Sequence, residues 1–317
     1  MHPALIVLIV IVGILIILIP GLLCSTHVVY KEAFYNANLE NAKRSFLEGE
    51  QYRVFEKEIK KDIDGQLEEP YEDIEIKSYD GKKLHGYLYN FYPNSKRVQI
   101  QFHGYKGTGR KSMGGFLKSA KENGFNCIVV DHRSHGKSEG HIVSFGIRER
   151  KDVKSWVNKA IELFGEDSEI LLRGISMGGA TVLMSLDMNL PNNVKGVISD
   201  CPFSAPIDEL LKTALESKTK LPSPIAKLML IMAAAIWGHF NVLESSAVTA
   251  VKKTNVPILL FHGNDDRFVP WEFSEKIAKA NPNIKFVTID GAGHGLCAYK
   301  NPTLYKTEVD EFIKKNY

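Results

Sequence analysis

Cysteine is scarce in this chain. Its 317 residues hold four, Cys24, Cys127, Cys201 and Cys297, without the close pairs that a structural zinc site requires. The same scatter gives no disulfide framework. Cys127 falls inside an apolar strand-like run and behaves there as a small hydrophobe. Cys201 and Cys297 stand near motifs taken up below and read as packing residues. An excess of one charge is missing too. Lys and Arg number 40 against 37 Asp and Glu, a formal +3, with the signs interspersed, so no face is marked for nucleic acid. A phosphate-binding loop is also excluded. From Gly104 to Ser112 the chain carries Arg110 between Gly109 and Lys111 and lacks the required G-K-[ST].

No Lys or Arg precedes the apolar run at the N-terminus. Residues 4–24 are almost entirely Leu, Ile and Val, interrupted by Gly13 and the Pro20-Gly21 pair. About 20 such residues cross a bilayer core as a helix. A buried core helix is a poor reading, because the run has no polar face. A cleaved signal peptide would begin with basic residues and have a shorter apolar core. A lipoprotein reading of Leu22-Leu23-Cys24 puts a bulky leucine where a small residue is expected. Residues 1–24 are therefore expected to be an uncleaved single-pass membrane anchor. Lys31, Lys43 and Arg44 follow it, a bias that favours a cytoplasmic domain. Residues 25–69 read as a helical linker with apolar residues at helical spacing (Phe34, Leu39, Phe46, Tyr52 and Phe55), expected to pack on the domain or the membrane surface.

From residue 70 to 317 strand and helix patterns alternate. Residues 71–78 form a strand, Asp80-Gly81 a hairpin turn, and residues 83–89 the antiparallel return. Strands follow at 97–102, 126–131, 169–173, 194–199, 256–260 and 284–289. Helices fall at 116–122, at 147–164 and after residue 176. Such alternation gives an α/β fold with a mostly parallel central sheet, helices on both faces, and a site at the carboxyl ends of the strands. An insertion at about 203–250 contains the Met-rich apolar run 225–237, too short to span a bilayer comfortably. It reads equally as a core helix and as a wall for an acyl chain.

Gly174-Ile175-Ser176-Met177-Gly178 ends one of these strands in the G-x-S-x-G pattern of a nucleophile elbow. A serine hydroxyl is too weak a nucleophile alone and needs a base, which in turn needs an orienting acid. Gly291-Ala292-Gly293-His294-Gly295 supplies the base, His294. Asp265 and Asp266, after the 256–260 strand, compete for the acid, with Asp200 a distant third. The backbone amide of Met177, at a helix N-terminus, suits a developing oxyanion. The chain order Ser, Asp, His separates this arrangement from other serine hydrolase folds.

On these motifs the sequence resembles the α/β-hydrolase superfamily from about residue 71 onward. More narrowly, it resembles bacterial membrane-anchored serine hydrolases of the serine aminopeptidase-like and acyl-peptidase-like esterase group. The family pattern H-G-x-x-D-x-x-V-P, beginning at His262, implies Asp266 as the acid. The pattern H-G-Y-x-G, from His103 to Gly107, implies the amide of Tyr105 as second oxyanion donor. Residues 131–140 match the family's D-x-R-G-H-G-x-S-x-G loop, a structural turn, with Ser134 where glycine is usual. That match outweighs a metal reading of its histidines, and the resemblance implies neither metal nor cofactor. The insertion corresponds to a cap. Family members are often assumed to face outward, against the charge bias above, so the side of the membrane stays open. The implied activity is cleavage of a carboxylic ester through an acyl-enzyme, with a small-molecule substrate bearing an apolar acyl group. Amide or peptide hydrolysis, thioesterase and acyltransferase activities are the alternatives. From another class stands a non-catalytic binding protein on the same fold.

Overall fold

A computed structural model describes residues 3–36, 49–111, 115–217 and 221–317, apart from the side chains of residues 10, 11 and 13–17. The first helix, α1 (Pro3–Ala33), does not stop at Cys24, where anchor was expected to give way to linker. It continues through Pro20 and nine residues beyond Cys24. Of the expected transmembrane span, residues 1 and 2 and the seven side chains just named lie outside the described residues. Among the described residues, no helix is long and apolar enough to cross a membrane. Leu39, Lys43, Arg44 and Phe46 also lie outside them.

The linker ends in two helices, α2 (Glu50–Arg53) and α3 (Glu56–Glu68). Ile59 and Ile63, one turn apart, are buried with Tyr52 while the lysines and glutamates of α3 point outward. That is the division a 3.6-residue period produces. The apolar stripe packs on the body of the protein.

A hairpin of β1 (Glu72–Lys77) and β2 (Lys83–Tyr89) opens the sheet. β3 (Arg97–Phe102), α4 (Phe116–Glu122), β4 (Asn126–Val130), α5 (Glu149–Phe164), β5 (Glu169–Ile175), α6 (Met177–Ser185) and β6 (Val194–Asp200) follow. The insertion forms α7 (Pro206–Glu216), α8 (Ser223–Ile236) and α9 (Ala247–Val251). The chain closes with β7 (Ile258–Gly263), α10 (Trp271–Ala278), β8 (Ile284–Ile289), α11 (Cys297–Lys300) and α12 (Pro302–Asn316). β7 starts two residues later than its apolar run, because Pro257 has no N–H for the ladder. It reaches further at the other end and includes His262.

The eight strands lie in the order β1-β2-β4-β3-β5-β6-β7-β8. Contacts of β2 with β1 and β4 are antiparallel and the rest are parallel. This is an α/β-hydrolase architecture. Side chains alternate across it as strand geometry demands. Ile170 and Leu172 join one core layer with α5, α6 and the insertion, while Leu171 and Ile175 join the other with α3, α4 and α12. The parallel strands β3 to β7 are buried on both faces almost throughout, so their carboxyl ends are where the chain can present polar groups together.

Candidate active site

At the end of β5 the backbone turns so sharply that Ser176 takes φ 55° and ψ −121°. A non-glycine residue reaches positive φ only under constraint, and the two flanking glycines supply it. A Cβ on Gly178 would lie 2.1 Å from the Phe102 carbonyl oxygen, and one on Gly174 would lie 2.4 Å from the Gly178 carbonyl. Strand and helix can cross this closely only without those side chains. The Ser176 amide donates to the Asp200 carbonyl at 2.8 Å, tying the elbow to β6.

Ser176 Oγ lies 2.9 Å from His294 Nε2, and His294 Nδ1 lies 2.7 Å from Asp266 Oδ2. All three lie at carboxyl ends of strands, on loops far apart in sequence. With the carboxylate against Nδ1, that nitrogen carries the proton, leaving Nε2 to accept from the serine hydroxyl. Asp266 is held from several sides. Its Oδ1 accepts the amides of Phe268 at 2.9 Å and Val269 at 2.8 Å, and His262 Nε2 approaches Oδ2 at 3.1 Å. Burial alone would favour the neutral acid, but His294 and His262 hold its pKa well below the ordinary carboxylate value. Burial likewise pulls the His294 pKa down, and the Asp266 charge overrides it, so the imidazole stands well above its ordinary value.

The competing acids are placed elsewhere. Asp265 points to the surface, where Gln51 Nε2 donates to it at 2.8 Å and Arg267 pairs with it. Asp200 is buried with its carboxyl toward Tyr305 and Cys297, and burial raises its pKa.

Met177 is the first residue of α6, where backbone N–H groups lack intrahelical acceptors. The Tyr105 loop abuts the nucleophile: a Cβ on Gly104 would sit 3.4 Å from the Ser176 Cβ. The Tyr105 ring lies 5.0 Å from that of Phe145, and burial pushes its phenol up to about 12. The two amides expected to donate to an oxyanion thus belong to segments that meet at Ser176.

The histidine-rich loop is built around Asp131. Its carboxylate accepts the amides of Gly109 at 2.8 Å and Lys137 at 3.0 Å. Ser134, in place of the usual glycine, adopts φ 63° and donates its hydroxyl to the Ile142 carbonyl. Burial draws the pKa of both His132 and His135 down. Among the described residues, the group with metal-ligand proximity is instead Cys201, Asp266 and His294. Two of its members already satisfy each other through Nδ1 and Oδ2. Cys201 is buried with Sγ 4.0 Å from His294 Nε2, and burial pushes its thiol up to about 11. A thiol so far from ionising packs against the imidazole and does not compete with it.

Several participants went unread in the sequence. The Tyr52 hydroxyl donates to the His294 carbonyl at 2.9 Å, and Gln51 Nε2 donates to the Asp265 carbonyl at 2.9 Å, so α2 braces both loops. His262, seen only as a motif letter, is fully buried between Asp266 and Ser274. Glu209 of α7 is buried with Oε2 unpartnered, close enough to His294 and Asp266 to feel their charges. Burial pushes its pKa up to about 7. An acid one residue before Leu210 on the buried side of an amphipathic helix was the available signal. Phe268 lies with its ring 5.0 Å from the His294 imidazole. A groove of about 710 Å³ between α3 and α4 contains none of these residues.

Residues 100–224 match the family described as alpha/beta hydrolase fold, and residues 234–316 match one described as TAP-like protein. The uncharacterized protein YqkD of Bacillus subtilis is 30% identical over 196 residues, 60% of this chain and 62% of that protein. The chain therefore spans less than two thirds of this relative's length. The uncharacterized protein YfhR of Escherichia coli K12 is 25% identical over 256 residues, 76% of this chain and 80% of the relative. Among solved structures, the Pyrococcus furiosus esterase Pf2001 superposes with a TM-score of 0.60 at 26% identity, covering 79% of this chain and 94% of that one.

Proposed function

The chain belongs to the α/β-hydrolase superfamily, and from that premise we propose that it is a serine hydrolase cleaving carboxylic esters. The observation that carries this reading is the relay from Ser176 Oγ to His294 Nε2 and from His294 Nδ1 to Asp266. Ser176 attacks the ester carbonyl as its proton passes to Nε2. The oxyanion falls to the amides of Met177 and Tyr105. Collapse of the tetrahedral intermediate breaks the C–O bond, and the imidazolium protonates the departing alkoxide. Water, deprotonated by His294, then releases the acid and regenerates Ser176. Likeness to a named esterase supports ester over amide, since the same relay serves both.

We further propose that residues 1–24 anchor the enzyme in a membrane. The support is the apolar run itself and the exposure of Leu5, Ile6, Val7, Leu8, Ile9, Val12, Leu18 and Ile19 along α1. In water each such side chain forfeits about 1.5–3 kcal/mol of possible burial.

Burst kinetics with p-nitrophenyl esters test the esterase reading. One equivalent of nitrophenol should appear before steady state, and Ser176→Ala should abolish both phases. Turnover without a burst, surviving Ser176→Ala, would sink the assignment.

A further inference from the structure

We infer that the cap is seated in the membrane: the outer stripe of α8 forms one lipid-contacting surface with α1, and the site draws a lipid-borne apolar ester through it. The inference rests on the anchor reading above. α8 is apolar on its exposed face as well as its buried one. Its inner residues Ala226, Leu230, Ala233 and Ala234 are buried, the last three in the core layer that also holds Met177, Phe145 and Phe203. Its outer residues, at spacings of three and eight, are Ile225 at 49% exposed, Leu228 at 56% and Ile236 at 37%. Lys227 is the one charged residue in the helix. A helix on an aqueous surface places polar side chains outward, and a contiguous exposed apolar face marks an interaction site.

The occupant follows from what adjoins the face. α8 packs on α1. The Trp237 indole N–H donates to Thr26 Oγ1 at 3.1 Å, the Trp237 ring lies 4.6 Å from His27, and the Phe240 ring lies 5.3 Å from Phe34. These contacts seat the C-terminal end of α8, and the turn that follows it, against residues 26–34 of α1, so the exposed stripe of α8 adjoins the helix whose N-terminal half is apolar. Leu22 and Leu23, one turn before Thr26 on the face of α1 that meets Trp237, are exposed at 42% and 37%. Tryptophan at such a junction suits the boundary between lipid and water, and Lys227 can extend its amine to headgroups while its stem stays apolar. In this proposal the bilayer that holds α1 is also what covers the outer stripe of α8.

The test uses the full chain in phosphatidylcholine vesicles. Single cysteines replace Leu228 or, as control, Glu311 on α12 across the sheet, in a Cys24→Ser background, the remaining thiols being buried. Each carries a polarity-sensitive fluorophore, and some vesicles contain acyl-chain nitroxide lipids. The proposal expects flotation with the vesicles, blue-shifted emission at 228 quenched by nitroxide, and neither effect at 311. Protein that floats while position 228 behaves like 311 overturns the proposal and leaves the anchor standing. Protein that does not float overturns the anchor reading and this proposal together. In parallel, the pair Ile225→Glu and Leu228→Glu should slow hydrolysis of a vesicle-borne ester about tenfold, an effect of roughly 1.4 kcal/mol. A water-soluble acetate ester should be cleaved at the native rate. Equal loss on both substrates counts against the proposal.

Discussion

The hydroxyl of Tyr52 donates to the backbone carbonyl of His294 at 2.9 Å, joining residues 242 positions apart. It places the general base of the proposed mechanism under the control of a segment that lies between α1 and the sheet. Tyr52 is buried, and burial pushes its phenol up to about 12, so it remains a donor across the working pH range. A buried neutral hydrogen bond contributes about 1 kcal/mol. Tyr52→Phe should therefore lower kcat/KM about fivefold with KM little changed. The check is ester turnover beside a thermal melt; an equal loss in a variant such as Phe55→Leu would mean that packing, not the hydrogen bond, matters.

The two adjacent aspartates should differ by orders of magnitude. Asp266 touches Nδ1 of His294, whereas Asp265 faces solvent and Gln51. Asp266→Asn leaves the wrong tautomer on the imidazole and should cost about 10⁴ in kcat. Asp265→Asn should stay within about tenfold, the scale of one partly exposed hydrogen bond. Matching losses would contradict the assignment.

Acid should silence the enzyme earlier than an ordinary histidine would. In the proposed mechanism His294 must be neutral to accept the serine proton; burial pulls its pKa down, and the Asp266 charge overrides that and raises it. Activity is then absent below that pKa and rises with pH through it. The acidic limb of kcat/KM should fall above about 6.5, the unperturbed histidine value. A limb at or below that value would contradict the coupling to Asp266.

Glu209 supplies a second pH signature. Its folded pKa, about 7, stands above the ordinary 4.5 because burial penalises the charge. Between these values the folded state binds the proton that the unfolded state has lost, so stability falls as pH rises. Glu209→Gln removes that dependence. Its melting temperature should exceed the native one by more at pH 8 than at pH 5. Its removed charge should also shift the acidic limb of activity downward, since an anion near His294 favours imidazolium.

What the sequence made legible was local. Ser176 and its glycines are read from five consecutive letters because the elbow's sterics act over two residues on either side. His294 and Asp266 follow from short loops that end strands, and the strands themselves from apolar runs buried on both faces. The braces were not legible, because Tyr52, Gln51 and Glu209 acquire their roles through partners tens to hundreds of residues away. Tyr52 in particular was read only as one position of an apolar stripe. Its ring does pack, and its hydroxyl does the rest. For the insertion, the inner face of α8 packs in the core, as one of its two readings expects, while its outer face is exposed.

The elbow glycines admit a direct steric test. Gly178→Ala would place a methyl 2.1 Å from the Phe102 carbonyl oxygen. Backbone on both sides leaves no soft neighbour to yield, so a loss of several kcal/mol, about 3 or more, is expected. Chemical denaturation should show it as a lowered midpoint with an unchanged slope.

The central claim is that Ser176 is the nucleophile, and covalent labelling tests it most directly. The full chain is treated with a fluorophosphonate, digested and mapped by mass spectrometry. One adduct should form per chain, on the peptide containing Ser176, and Ser176→Ala should remain unlabelled. No adduct on the native protein, or an adduct that persists in Ser176→Ala, would contradict the account.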